Sequence, residues 1–475
     1  MKLRDTLQLQ ERRHLVGELK GLLRREPPAG SRRSRGSVLI IVLWVCIGLV
    51  SIALYFANSM TYELRASDNR ASGLATDQAI EGAARYVSTI LALYATNGVV
   101  PATNLYASAA VPVGDARFWL IGRDPSGPSS SSTLSAGPYY ALVDEGSKLN
   151  LNTVNTNVLS YLLNMTPDIA QAIVDWRSTN SSGAYAMDYA QLDYPEKNAP
   201  FETVDELRLV YGTTMDLLVG DDLNLNGVLD ANETNSTGSS GLNSGLFDYT
   251  TVYTREPNFH SDGTLLTNVD QATANDLRAL FESAGVNNAS VLADAIGNRR
   301  GGTIRGLLDF CLICRIQGMS SADFAKIADD VTSTTDAYIR GRVNVNTADA
   351  TILAALLMGV GLDQNTASGT AQSLITYRQQ NPGNLGSVAW LIDALGTSSS
   401  AVNALAAGDY VTTHSYQFTA DVAAVGPFGR GYRRVKFVFD TSNGTPIIIY
   451  RQDLSRLGWA LGETARETWV AGATP

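Results

Sequence analysis

The sequence predicts an α+β protein: a long N-terminal helix packed on an antiparallel sheet, with a large all-α domain inserted into the sheet. Three observations carry this. An uncharged apolar run over 38–57 opens a helical pattern that continues past residue 90. Strand-like segments lie towards both ends of the chain, at 116–121 and 139–144, then at 416–425, 432–439 and 446–451. Between them the pattern is helical and repeats itself. Sheet material on either side of a helical middle points to one head carrying an insertion.

No charge falls between Arg35 and Glu63. Twenty helical residues rise about 30 Å, enough to cross a hydrocarbon core. Of the formal net charge of −10, residues 1–36 contribute +6 from ten Lys/Arg against four acids, which leaves −16 for the remainder. A basic segment before an apolar helix is retained in the cytoplasm, so the acidic bulk is expected outside the membrane. That acidity also argues against general nucleic-acid binding. Beyond the run, Ile80, Ala84, Val87, Leu91 and Tyr94 recur at three- and four-residue spacing, until Thr96-Asn97-Gly98 ends the stripe. A helix from 37 to 95 would be about 90 Å long.

Residues 125–137 are rich in Ser, Pro and Gly and read as a loop. The strands at 416–425 and 432–439 form a hairpin around Gly426-Pro427-Phe428-Gly429, with Arg430, Arg433, Arg434 and Lys436 expected on its solvated face. Strand character is expected to vanish from 150 to 416. There Leu149-Asn150-Leu151-Asn152-Thr153 matches Val343-Asn344-Val345-Asn346-Thr347, and Thr267-Asn268-Val269-Asp270 is a weaker third copy. Each copy precedes an apolar helix, a turn and a second helix. The second helix ends in Trp176-Arg177 in one strong copy and Tyr377-Arg378 in the other. Helices are expected at 277–283, 293–299 and 304–315, and Thr203 with Glu206 forms a capping box before another.

One stretch carries recognisable chemistry. Asp222, Asn224, Asn226, Asp230 and Glu233 fall at positions 1, 3, 5, 9 and 12 of a calcium-type loop. Gly227 stands at position 6 for the sharp turn, Val228 offers its carbonyl at 7, and Leu229 is apolar at 8. Calcium takes about six to eight oxygens at flexible distances, and extracellular loops use it to stiffen structure. The expected cofactor is a structural calcium ion.

Other chemistry finds little support. Cys46 lies in the apolar helix, and Cys311 and Cys314 form a C-x-x-C read as core packing or a local disulfide. His14, His260 and His414 have no paired metal-ligand spacing. No nucleophile elbow, phosphate-binding loop or dinucleotide fingerprint occurs, so no enzyme is expected.

Gly36 followed by an uncharged apolar helix resembles the class III leader of type IV pilins and type II secretion pseudopilins. The resemblance implies cleavage after Gly36 by a prepilin peptidase, leaving Ser37 as the new N-terminus. Most such proteins carry Glu at the fifth mature position; here it is Ile41. A carboxylate in lipid is costly unless paired, and a subunit at a fibre tip has none above it to pair with. The repeats resemble helix-hairpin-helix units. Lys197-Asn198, Pro200-Phe201, Thr203, Asp205-Glu206-Leu207, Val210 and Gly212 resemble a segment of the minor pseudopilin K family. Together these features resemble that family over most of 32–455. They imply a pilin-like head and this organisation: leader 1–36, transmembrane helix 37–57, spine continuation 58–97, first head segment 98–150, helical insertion 151–400 and returning strands 401–475. They also imply a single-pass inner-membrane protein with its bulk in the periplasm, partnered by other minor pseudopilins at the tip of a secretion pseudopilus. A membrane-tethered helix-hairpin-helix DNA receptor and a type IV pilus minor subunit or adhesin remain as alternatives. The glycines of Met358-Gly359-Val360-Gly361 suit a phosphate-binding turn. Asn164-Met165-Thr166 lacks them, however, and the acidic surroundings do not attract a polyanion, so no nucleic acid is expected.

Overall fold

The computed structural model describes residues 37–124, 137–179, 185–236, 242–297, 303–463 and 465. It divides into two compact units, 1–68 and 69–475. In the first, the described residues are all helical and belong to α1, Ser37–Tyr94. This helix has 58 residues and no Pro. Its segment from Val38 is apolar and long enough to cross a membrane, with side chains exposed throughout.

Within the second unit, α1 buries one face from Ala79 to Leu91. Ile80, Ala84, Val87 and Leu91 of the expected stripe are buried, whereas Tyr94 is 39% exposed at the helix end. Small residues on this face let the sheet approach closely. A Cβ on Gly82 would stand 3.0 Å from Val113.

The main sheet holds β1 (Val111–Val113), β2 (Ala116–Ile121), β3 (Val143–Asp144), β4 (Gln417–Val425), β5 (Tyr432–Asp440) and β6 (Ile447–Asp453). Its order is β1-β2-β4-β5-β6, with β3 also against β4, and every pairing is antiparallel. Side chains alternate between faces. Phe118, Leu120, Phe418, Ala420, Val422, Val435, Phe437 and Phe439 pack on α1. The opposite face carries Trp119, Ile121, Ala423 and Val425 with Ala460 and Leu461, and also the polar Thr419, Asp421 and Arg434. All nine residues of β4 are buried, so both faces are covered.

The chain leaves the sheet after β3 and returns at β4. The insertion between them has its own apolar core, from Leu149 to Val411. Each repeat opens on a two-residue parallel bridge: Leu149–Asn150 with Thr250–Thr251, Thr267–Asn268 with Val331–Thr332, and Val343–Asn344 with Val411–Thr412. This corrects the expectation of no strands there; two residues are too short to show a period. The helix pairs follow: Thr156–Leu159 with Pro167–Arg177, Ala274–Ser283 with Ala289–Gly297, and Ala350–Gly359 with Gln364–Gln380. The middle pair starts earlier than its apolar spacing suggests, because Thr273 and Asp276 make a capping box. The capping box at Thr203 and Glu206 is present, but it opens a 3-10 turn, Val204–Leu209.

Candidate functional site

The leader and Gly36 lie outside the described residues. Ser37 is the first residue of α1, and Ile41 is exposed on it.

The calcium-type loop follows the helix Met215–Val219, which stops at Gly220 (φ 63°), where a Cβ would sit 2.0 Å from the Asn243 carbonyl. The loop is wound by its own side chains. Asp222 Oδ1 accepts the Asn226 N–H at 2.9 Å and Oδ2 the Gly227 N–H at 2.7 Å. Gly227 supplies the positive φ of 81° that the sharp turn needs. Glu233 folds back: Oε1 accepts the Leu223 N–H at 2.8 Å and Oε2 the Asp230 N–H at 2.9 Å. The amides of Asn224 and Asn226 both donate to Asp230 Oδ2, at 2.6 and 3.0 Å. Val228 lies between, its N–H donating to Asn226 Oδ1 at 3.0 Å. The side chains of Asn224, Asn226 and Asp230 are thus in contact, Asp222 and Glu233 bind the loop backbone, and among the described residues no three Asp, Glu, His or Cys side chains converge on one point.

Two features suit a cation there. Asn224 Oδ1 is a buried acceptor with no partner. Burial raises the carboxyls of both Asp222 and Glu233 above their usual range, against the pull of Arg123 and nearby N–H groups on Asp222 and of the Asp230 and Asn224 N–H groups on Glu233. Carboxylate, amide and carbonyl oxygens are the hard donors that calcium prefers.

The loop does not stand alone. Arg434 of β5 is fully buried and pairs with Asp421 of β4 through Nε at 2.9 Å and Nη2 at 2.6 Å. Its other hydrogen bonds go to the loop carbonyls of Asn224 and, at 2.7 Å, Leu225. Burial alone would lower this guanidinium, but Asp421 outweighs it and the pKa is raised. Arg123, just past β2, pairs with Asp248 at 2.6 Å and reaches the Leu225 carbonyl at 3.4 Å. Arg434 therefore does not lie on a solvated face as expected; the insertion covers that side of the sheet. The strand alternation of Thr419, Asp421, Arg434 and Lys436 onto one face was the available signal. It is ambiguous, because a polar stripe reads as solvent until something is known to cover it.

A second polar cluster lies where the insertion begins. Asp144 accepts from Gly146 N–H at 2.7 Å and from Asn344 Nδ2 at 3.0 Å, and burial pushes its pKa up to about 6. Burial would raise Glu145 too, but Lys148, Lys436 and the hydroxyls of Thr251 and Thr419 hold it down at about 2.

The repeats use their basic residues internally. Arg177 donates to the carbonyls of Leu151 and Val154, and Arg378 to those of Val345 and Ala348. Arg342 is held by Glu256 and by Asp409 at 2.6 Å. Gly359 packs on the first repeat; a Cβ there would lie 2.2 Å from Val158. It serves helix contact rather than an open phosphate turn. Cys311 and Cys314 are both free and buried, and burial pushes both thiols up.

Fold and site together define a class: an α+β head with a long N-terminal helix that is apolar at its start, carrying a helical insertion whose 222–233 loop meets the head sheet. No protein-family model and no curated protein matches the chain. Among solved structures it is similar to a chain of the GspK-GspI-GspJ complex of the type 2 secretion system from enterotoxigenic Escherichia coli. The identity is 11% and the TM-score 0.40, over 82% of this chain and 99% of that one.

Proposed function

We propose that this chain is a non-enzymatic minor pseudopilin of the K type, placed at the tip of a type II secretion pseudopilus. The observation that carries the reading is α1 itself. It is one uninterrupted helix of 58 residues, apolar at its start, with Ile41 where a buried carboxylate is usual and its later part packed on the head sheet. In this reading a prepilin peptidase cuts after Gly36. The helix from Ser37 anchors the subunit in the inner membrane with its N-terminus cytoplasmic, and then packs laterally on partner helices. The insertion between β3 and β4 makes the head too bulky for interior positions, which favours the tip and contact with smaller minor pseudopilins. Calcium in the 222–233 loop, with Asp222, Asn224, Asn226, Asp230, Glu233 and the Val228 carbonyl as ligands, stiffens the head.

The test is the mass and N-terminal sequence of the membrane-extracted protein, from cells with and without prepilin peptidase. A start at Ser37 that depends on the peptidase is expected. Co-purification with minor pseudopilins of the same cell should accompany it. A start at Met1 in both strains, or no association with any minor pseudopilin, would end the proposal.

A further inference from the structure

The calcium-type loop lies at the contact between the insertion and the outer face of the head sheet. The apolar cores on the two sides do not merge: the insertion core runs from Leu149 to Val411, and the two head clusters contain no residue of it. What joins them here is polar. Arg434 and Arg123 bind the loop carbonyls. On the C-terminal side, Asn224 Nδ2 reaches the Trp459 carbonyl at 3.3 Å and Asn226 Nδ2 the Ala460 carbonyl at 3.4 Å.

We propose that a divalent cation held by the 222–233 loop is the latch that fastens the insertion to the head. This rests on the calcium reading of the loop and goes beyond stiffening: it assigns the cation a joint. Two physical arguments support it. The first is charge. Asp222, Asp230 and Glu233 of the loop, with Asp248 and Asp421 beside it, are five carboxylates against the three cations Arg123, Arg434 and Lys436, the last directly opposite Asp421 in the sheet. Buried charges of one sign in excess oppose docking unless a counter-charge is present. The second is amide geometry. The Nδ2 groups of Asn224 and Asn226 are each shared between Asp230 Oδ2 and a carbonyl of the C-terminal segment. The residues that would hold the cation thus also touch the C-terminal segment, and Asn224 Oδ1, buried and without a partner, is an acceptor already in place for it. Ordering the loop on a cation fixes those contacts to the head.

The chain's other ties across this contact are electrically balanced or neutral. Arg255 pairs with Asp440, and Asp205 accepts from Gln452 at 2.6 Å. They should survive removal of the cation, so the expected effect is local undocking rather than unfolding.

The experiment uses the full chain in detergent micelles. Terbium, a calcium mimic, is added and its luminescence sensitised through Trp459, whose carbonyl lies beside Asn224. Displacement of the signal by calcium reads binding. In parallel, hydrogen exchange followed by mass spectrometry compares calcium with a chelator, with magnesium as control. The latch predicts that calcium slows exchange by about tenfold or more across 432–436 and 454–462, while the insertion core at 352–357 is unchanged. Calcium displacement of terbium without any change in the head peptides would overturn the latch and leave the calcium reading intact. No sensitised signal at all would remove both. Glu233→Gln should abolish the signal and the head protection together. Arg434→Gln should keep the signal and lose the protection; if that variant does not fold, Asn224→Ala serves as the second uncoupling change, with weakened binding but protection lost even at saturating calcium.

Discussion

The first and third repeats carry almost the same five residues and use them for different ends. In both, the first Asn closes a turn on the backbone two residues on: Asn150 accepts the Asn152 N–H at 2.8 Å, and Asn344 the Asn346 N–H at 3.0 Å. In both, the second Asn ties down a later loop, Asn152 to the Phe201 carbonyl and Asn346 to the Leu385 carbonyl. In both, an Arg at the end of the second helix gathers two carbonyls. They part at the free amide of the first Asn. Asn150 donates to Thr254, inside the insertion, whereas Asn344 donates to Asp144 and Ser415, at the root of the head. The local turn is set by chemistry within the motif. The remaining donor takes whatever partner the topology brings, so one repeat builds the insertion and the other attaches it.

The comparison can be broken most strongly at the two arginines. Arg378 is 6% exposed, whereas Arg177 is only partly buried. Arg378→Met should cost about 3 kcal/mol and Arg177→Met about 1 kcal/mol, read by denaturant unfolding of the full chain. Equal costs would show that the buried carbonyls of the third copy find other donors. Next in size is the turn. Gly361 has φ 109°, and Asn164 takes the same left-handed place in the first copy at φ 60°. Gly361→Ala should cost about 1–2 kcal/mol, while Asn164→Gly should change stability by about 0.5 kcal/mol or less.

A further effect sharpens the comparison by pH. Burial lifts Asp144 from 3.8 to about 6, so the folded chain binds more protons than the unfolded chain across that window. Its contribution to stability therefore falls as pH rises from about 4 to about 6 and is flat above, with a size on the order of 2 kcal/mol. Glu145 acts oppositely and lower: its stabilisation is present above 4.5 and lost as pH falls towards 2. Asp144→Asn should flatten the upper slope in thermal unfolding measured between pH 4 and 7. Asn150→Ala, with no carboxylate partner, should leave that slope as it is.

Much of this fold is legible in the sequence where a period is long enough to see. The strand 116–121 coincides with β2, and the strands expected at 416 and 432 begin within a residue of β4 and β5. The Asn-x-Asn-Thr repeats mark the helix pairs because an Asn closing a turn on its own backbone leaves a sequence trace. The sharp turn at Gly227 is legible too, because Gly at that place in the spacing supplies the positive φ found there. What is not legible is which polar face another domain covers. Arg434 sits in a cluster of basic residues, and nothing in its neighbours distinguishes it from Arg433, whose Nε meets Asp77 at the exposed surface, 3.1 Å away. The strand bridges of the repeats escape for a different reason: two residues set no alternation.

The antiparallel pairing of Asp144 with Phe418 has a kinetic consequence. β4 is the strand that β2, β3 and β5 all need, yet it is synthesised after the whole insertion. Until then the apolar face of α1 and the inner face of β2 have no sheet to close against. Bringing such distant residues together from an open chain carries a loop-closure entropy that grows with the logarithm of the loop length. An insertion that folds first, on its own core, places its two ends side by side and removes most of that search. The domain encoded in the middle of the chain is thus set to fold before the domain that surrounds it, and the head is completed last.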